Sequence, residues 1–190
     1  MALPAFDEKF WDSPFVSQLA FVPRKTARTG RHPEGVIPVN GAELGWLLFS
    51  GGGGADEPAA ADAPVVFYCH ANAEVAADVE HLAPILHAAG ACAVLAIDYR
   101  GYGWSTGTPS LSTLLSDIEA VQAALPELLQ RHALGGRKVI AYGRSLGAAC
   151  AVHAVSHAPV RRPPHIPAHL ACNARRGRTT APSHSAGRGF

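Results

Sequence analysis

Gly143-Arg144-Ser145-Leu146-Gly147 follows directly on the apolar run Val139-Ile140-Ala141-Tyr142 and leads into alanine-rich sequence from Ala148 to Ser156. That order reads as strand, sharp turn and helix, with a serine at the apex. Such an elbow holds the serine in a strained backbone conformation with its hydroxyl above the sheet edge. Gly143 and Gly147 flank the apex because a Cβ at either position would crowd the turn. The backbone N–H of Leu146, at the helix start, faces the place where an oxyanion would develop. Ser145 is therefore the candidate nucleophile.

The pattern alone is not specific, since roughly 0.1 chance occurrences are expected in a chain of this composition. A second match exists, Gly103-Trp104-Ser105-Thr106-Gly107. It follows a polar, glycine-broken segment and runs into Thr108-Pro109, which supports a turn and no immediate helix. Ser105 is read as a loop residue.

Working outward, Pro64 to Cys69 and Ala91 to Ile97 are short apolar, β-branched runs, the signature of strands buried on both faces. Val139 to Tyr142 reads as a third buried strand. Ala73 to Ala89 has near-helical apolar spacing, with Pro84 as a kink or break. Leu111 to Leu129 is the clearest helix, with Pro126 expected to kink or bound it. Gly35 to Phe49 reads as a hairpin turning at Asn40-Gly41. Phe6, Phe10, Trp11, Phe15 and Leu19 suggest a short amphipathic turn packed on the body. Alternating strands and helices imply an α/β fold: a mostly parallel sheet with right-handed crossovers, plus an antiparallel hairpin at its N-terminal side. Reactive groups in such sheets collect at the carboxyl ends of strands, where His70, Asp98 and Ser145 fall.

The chain divides on this reading into a lead segment (1–34), a domain (35–158) and an Arg/Pro/His-rich tail (159–190) expected to be disordered. Ser50 to Ala63 is a glycine-rich connection within the domain. Net charge is +1, yet Met1 to Ser145 holds ten Lys/Arg against fifteen Asp/Glu, while Leu146 to Phe190 holds six Arg and no acid. The tail lacks helical periodicity and has no aromatic before Phe190, so no nucleic-acid partner is expected. An out-of-frame reading of a GC-rich gene would produce such a composition. No apolar run approaches the ~20 residues of a membrane span, and the N-terminus does not resemble a secretory signal. Cys69, Cys92, Cys150 and Cys172 are widely spaced, without a CxxC. Buried free thiols in a reducing, cytoplasmic setting are expected, and no metal site or cofactor.

Four blocks carry a family resemblance: Val65 to Ala73, Ile97 to Gly103, Ser105 to Ser110, and the elbow. With them, residues Gly35 to Pro159 resemble the α/β-hydrolase superfamily of serine hydrolases, closest in pattern to the protein-depalmitoylase and serine-aminopeptidase-like group. The resemblance implies a partial α/β-hydrolase fold, truncated after the nucleophile elbow with the later strands missing. It implies nucleophilic attack by Ser145 on a carboxylic ester, thioester or peptide amide, without a cofactor. The oxyanion would be held by the N–H groups of Leu146 and Asn72. His70 would brace the oxyanion loop, and Asp98 would satisfy loop N–H groups at a strand end. The family has glycine where this chain has Ala71, a departure that matters only if φ there is positive. Family members place the triad acid and histidine after the nucleophile; here about 45 residues follow Ser145, none of them acidic. His153 and His157 sit too far along the following helix to return to the elbow. Impaired turnover is therefore expected, with a non-catalytic acyl-binding role or a peptidase role as alternatives. The depalmitoylating relatives' N-terminal cysteine cluster has no counterpart before Cys69, so membrane attachment is not expected.

Overall fold

A computed structural model describes residues 12–51, 60 and 62–157. In chain order the elements are α1 (Pro14–Ala20), β1 (Glu34–Val39), β2 (Ala42–Ser50), β3 (Val65–Cys69), a 3-10 turn (Ala76–His81), α2 (Ala83–Ala88), β4 (Ala93–Ile97), α3 (Leu111–Arg131), β5 (Val139–Gly143) and α4 (Leu146–Ser156). The strands form one mixed sheet in the order β1-β2-β4-β3-β5. The β1–β2 hairpin is antiparallel and joins antiparallel to β4, while β4, β3 and β5 are mutually parallel. This is a partial α/β-hydrolase architecture. Asn40 and Gly41 close the hairpin, with Val39 opposite Ala42 and Gly41 taking the positive φ of 73°.

Every residue of β3 and β4 is buried, because successive side chains point to opposite faces and both faces are covered. Val65, Phe67, Leu95 and Ile97 pack with Leu114, Ile118, Val121 and Leu125 of α3 and with Cys150 and Ala154 of α4. Val66, Tyr68, Val94 and Ala96 pack on the other face with Val79 and Ala83. The sheet's parallel centre is thus the core, and its C-terminal edge becomes the rigid platform for the site.

Four expectations need correction. The third strand, β5, is not buried: Val139, Ile140 and Tyr142 are 42–51% exposed. The 3-10 turn and α2 lie over β2 and β4 and stop short of β5, so one face of β5 has no cover among the described residues. The helix expected over 73–89 breaks at Pro84, as one of its two readings allowed, but its first part is a 3-10 turn and not α-helix, divided at Leu82 because Pro84 sits in the first turn of α2. Pro126 neither ends nor divides α3, which continues to Arg131. Phe15 and Leu19 point outward, at 69% and 70% exposure, whereas Phe21 just after α1 enters the core. Phe6, Phe10, Trp11 and the 159–190 tail lie outside the described residues.

Candidate active site

His70, Asp98 and Ser145 lie directly beyond the C-terminal ends of β3, β4 and β5. Ser145 is the N-cap of α4 with φ 52° and ψ −116°, a region that side-chain-bearing residues rarely enter. The flanking glycines are required by space. A Cβ on Gly147 would meet the carbonyl groups of Cys69 and His70, the latter at 2.7 Å, and one on Gly143 would press into the Gly147–Ala148 peptide, 2.6 Å from the Ala148 nitrogen. The elbow is docked on β3 by the Arg144 N–H, which donates to the Cys69 carbonyl at 3.1 Å. Gly147 and Ala148 N–H groups close back onto the carbonyls of Arg144 and Ser145. The Leu146 N–H has no such acceptor among the described residues, so the helix start keeps a donor beside the serine.

The opposing loop is His70-Ala71-Asn72-Ala73. The positive φ falls on Ala73, at 64°, and Ala71 is not among the positive-φ residues. Alanine at 71 in place of the family glycine therefore costs no backbone strain. Asn72 is held on all sides: its Oδ1 accepts from Val22 N–H at 2.9 Å, from Tyr102 Oη–H at 2.6 Å and from Ala73 N–H at 3.1 Å, and its amide donates to the Ala20 carbonyl at 2.9 Å. A loop immobilised in this way keeps its backbone N–H groups in a fixed direction, as preorganised anion stabilisation requires.

His70 is fully buried and braces that loop from below. Its Nδ1 pairs with the Ala71 carbonyl at 2.8 Å, and Tyr99 Oη–H donates to the His70 carbonyl at 2.8 Å. Its Nε2 lies 3.6 Å from Asp98 Oδ1 and makes no hydrogen bond. Asp98, also fully buried, accepts the Ala76 N–H at 2.7 Å through Oδ1, while its Oδ2 is unpaired. Desolvation drives the two groups to their neutral forms, pulling His70 down to about 4 and pushing Asp98 up to about 7. The couple is consequently not an ion pair near neutrality.

Sequence reasoning missed Glu74 and Arg144. Glu74 accepts the Ala71 N–H at 2.9 Å and forms an ion pair with Arg144, bridging the oxyanion loop to the elbow. The i to i+3 placement of Glu74 after Ala71 was visible in the sequence, but the 70-residue link to Arg144 had no signal there. An open hollow of about 600 Å³, bordered by Tyr68, Glu74, Tyr142 and Arg144, flanks the elbow on the uncovered face of β5. Ser105, in the rival motif, lies in a loop and is 1% exposed. Its hydroxyl is consumed, donating to the Asp98 carbonyl at 2.9 Å and accepting the Gly45 N–H at 2.7 Å. It holds the β4 loop against β2.

A strained serine between glycines, on the C-terminal edge of parallel strands and facing a braced loop, defines the α/β-hydrolase class. Residues 60–174 match the sequence family described as serine aminopeptidase, S33, and the chain belongs to that family within the α/β-hydrolase superfamily. It is 37% identical over 89 residues to protein bem46 of Schizosaccharomyces pombe, covering 47% of this chain and 29% of that protein. It is 41% identical over 56 residues to human alpha/beta hydrolase domain-containing protein 17B, covering 30% and 18%. Among solved structures, a monoglyceride lipase from Saccharomyces cerevisiae superposes with a TM-score of 0.49 at 18% identity, over 63% of this chain and 38% of that one. The chain spans less than half the length of these curated relatives. No described helix is long and apolar enough to cross a membrane.

Proposed function

We propose that this chain is a serine hydrolase of α/β type in which Ser145 accepts an acyl group from a carboxylic ester, thioester or amide, with slow or absent turnover. The backbone of Ser145 carries the reading: φ 52° at the head of α4, between two glycines that admit no Cβ. In the reaction the Ser145 oxygen adds to the acyl carbon and loses its proton. The N–H groups of Leu146 and Asn72 hold the oxyanion, and the leaving group departs to give an acyl-serine. Among the described residues no imidazole or carboxylate bonds to the Ser145 hydroxyl. On the described residues alone, proton removal falls to solvent, and water attack on the acyl-serine has no base.

With no proton donor at Ser145 among the described residues, leaving-group basicity ranks the substrates. A thiolate, with an ordinary pKa of about 8.5, leaves without help, an alkoxide less readily, and an amine needs a proton first. Thioesters are therefore preferred, and the amide cleavage suggested by the family's description as serine aminopeptidase ranks last. Cys69, Cys92 and Cys150 are buried free thiols, which supports a reducing compartment. A fluorophosphonate probe tests the nucleophile: covalent labelling mapped to Ser145 and lost in Ser145→Ala is expected. Folded protein that takes no label rules this reading out in favour of a non-catalytic acyl-binding role.

A further inference from the structure

At the opposite end of α4 from Ser145, three side chains form a cluster that the hydrolase reading does not use. His153 and His157 are four residues apart, so they lie one above the other on one face of the helix. Glu119 reaches them from α3, with its Oε1 2.8 Å from His153 Nε2. The two imidazoles stack at 4.0 Å between ring centroids. One ligand atom from each of the three residues falls within 4.8 Å of the others. We infer that Glu119, His153 and His157 bind one divalent transition-metal ion of the zinc type at the seam between α3 and α4.

The hydrogen bonding around the imidazoles suits this role. His157 Nδ1 lies 3.1 Å from the His153 carbonyl and 3.0 Å from Ser156 Oγ, and the tautomer that donates to the carbonyl leaves Nε2 with a free lone pair. Histidine ligands are commonly oriented by such a backbone carbonyl on the second nitrogen. His153, at 15% side-chain exposure, is the fixed member, whereas Glu119 is 52% exposed and His157 is exposed. A tetrahedral zinc with bonds of about 2.0–2.1 Å holds its ligand atoms roughly 3.3 Å apart. The exposed His157 must therefore close on the pair while Glu119 Oε1, now 2.8 Å from His153 Nε2, moves slightly apart, and the ion takes the place of that hydrogen bond. Two imidazoles and one carboxylate favour zinc, cobalt, nickel or copper over magnesium or calcium, with water in the remaining position. His153 lies eight residues beyond Ser145, about 12 Å along the helix axis, so the ion takes no part at the serine. It would tie α4, whose first turn forms the elbow, to α3.

The full chain also carries His165, His169, Cys172 and His184, so the test must separate them from the seam. Titration of the full chain with zinc chloride in a calorimeter, and with cobalt(II) followed by its visible absorption, is expected to show one site per chain. His157→Ala and Glu119→Gln should each weaken binding at least about tenfold, while the double variant His165→Ala/His169→Ala and the variant Ser145→Ala bind as the parent does. Circular dichroism confirms that each variant is folded, and Glu119→Gln keeps the seam hydrogen bond if His157→Ala does not fold. The inference is overturned by no zinc binding to the parent, by unchanged affinity in Glu119→Gln, or by any dependence on the tail histidines. None of these outcomes depends on whether Ser145 reacts.

Discussion

Ser145 holds backbone strain in exchange for an exposed hydroxyl, and that trade can be measured. A positive φ with ψ near −116° suits glycine alone. Ser145→Gly should therefore be more stable than Ser145→Ala by about 1 kcal/mol in urea unfolding, with both variants inert to fluorophosphonate. The glycines that frame the serine have no such freedom, since Gly147→Ala drives a methyl group into the end of β3. A loss of about 2–4 kcal/mol and of labelling together is expected there. The buried His70–Asp98 couple makes a third residue-scale case. His70, with its folded pKa lowered from 6.5 to about 4, contributes stability that is lost as pH falls through that interval. Asp98, raised from 3.8 to about 7, contributes stability that is lost as pH rises through its interval. Between pH 4 and 6.5 the two oppose each other; above 6.5 only the Asp98 loss continues. Asp98→Asn cannot ionise, so it should gain on the parent between pH 5 and pH 8, by about 3 kcal/mol at most. An equal difference at both pH values would mean that Asp98 is already charged at pH 5.

Among the elements, α3 shows packing overriding local preference. Pro126 lies inside an unbroken helix because Leu125, Leu128 and Leu129 around it are buried. The proline removes one N–H and crowds the preceding turn. Pro126→Ala should accordingly raise stability by about 1–3 kcal/mol, read as a higher urea midpoint at unchanged slope. The 73–89 segment shows the converse, because its apolar spacing satisfies a helix while Pro84 forces a new start. Both segments display helical periodicity with a proline in it. Only the tertiary contacts distinguish a tolerated proline from one that restarts the helix.

Across the whole molecule, the asymmetry between the two faces of the sheet matters most. Among the described residues, α3 and α4 cover one face along its length; on the other, the 3-10 turn and α2 cover β2 and β4 and leave Ile140 and Tyr142 of β5 exposed. An apolar strand at a sheet edge favours self-association. Concentration-dependent association of the parent in sedimentation is expected, and Ile140→Lys should reduce it with little change in the unfolding midpoint. Unchanged association would place the contact elsewhere.

The motifs and periods were legible from the residues alone: Gly143 and Gly147 about Ser145, the apolar runs of β3 and β4, the helical character of Leu111 to Leu129 in α3, and the Asn40-Gly41 turn. Each is a local property, set by backbone geometry or by which side of an element must leave water. Tertiary structure alone decided that β5 is half bare, that Ala71 needs no glycine φ, that Glu74 joins the loop to Arg144, and that Glu119 meets His153. Those facts depend on which distant segments the fold brings together, and no spacing along the chain encodes a distance across it.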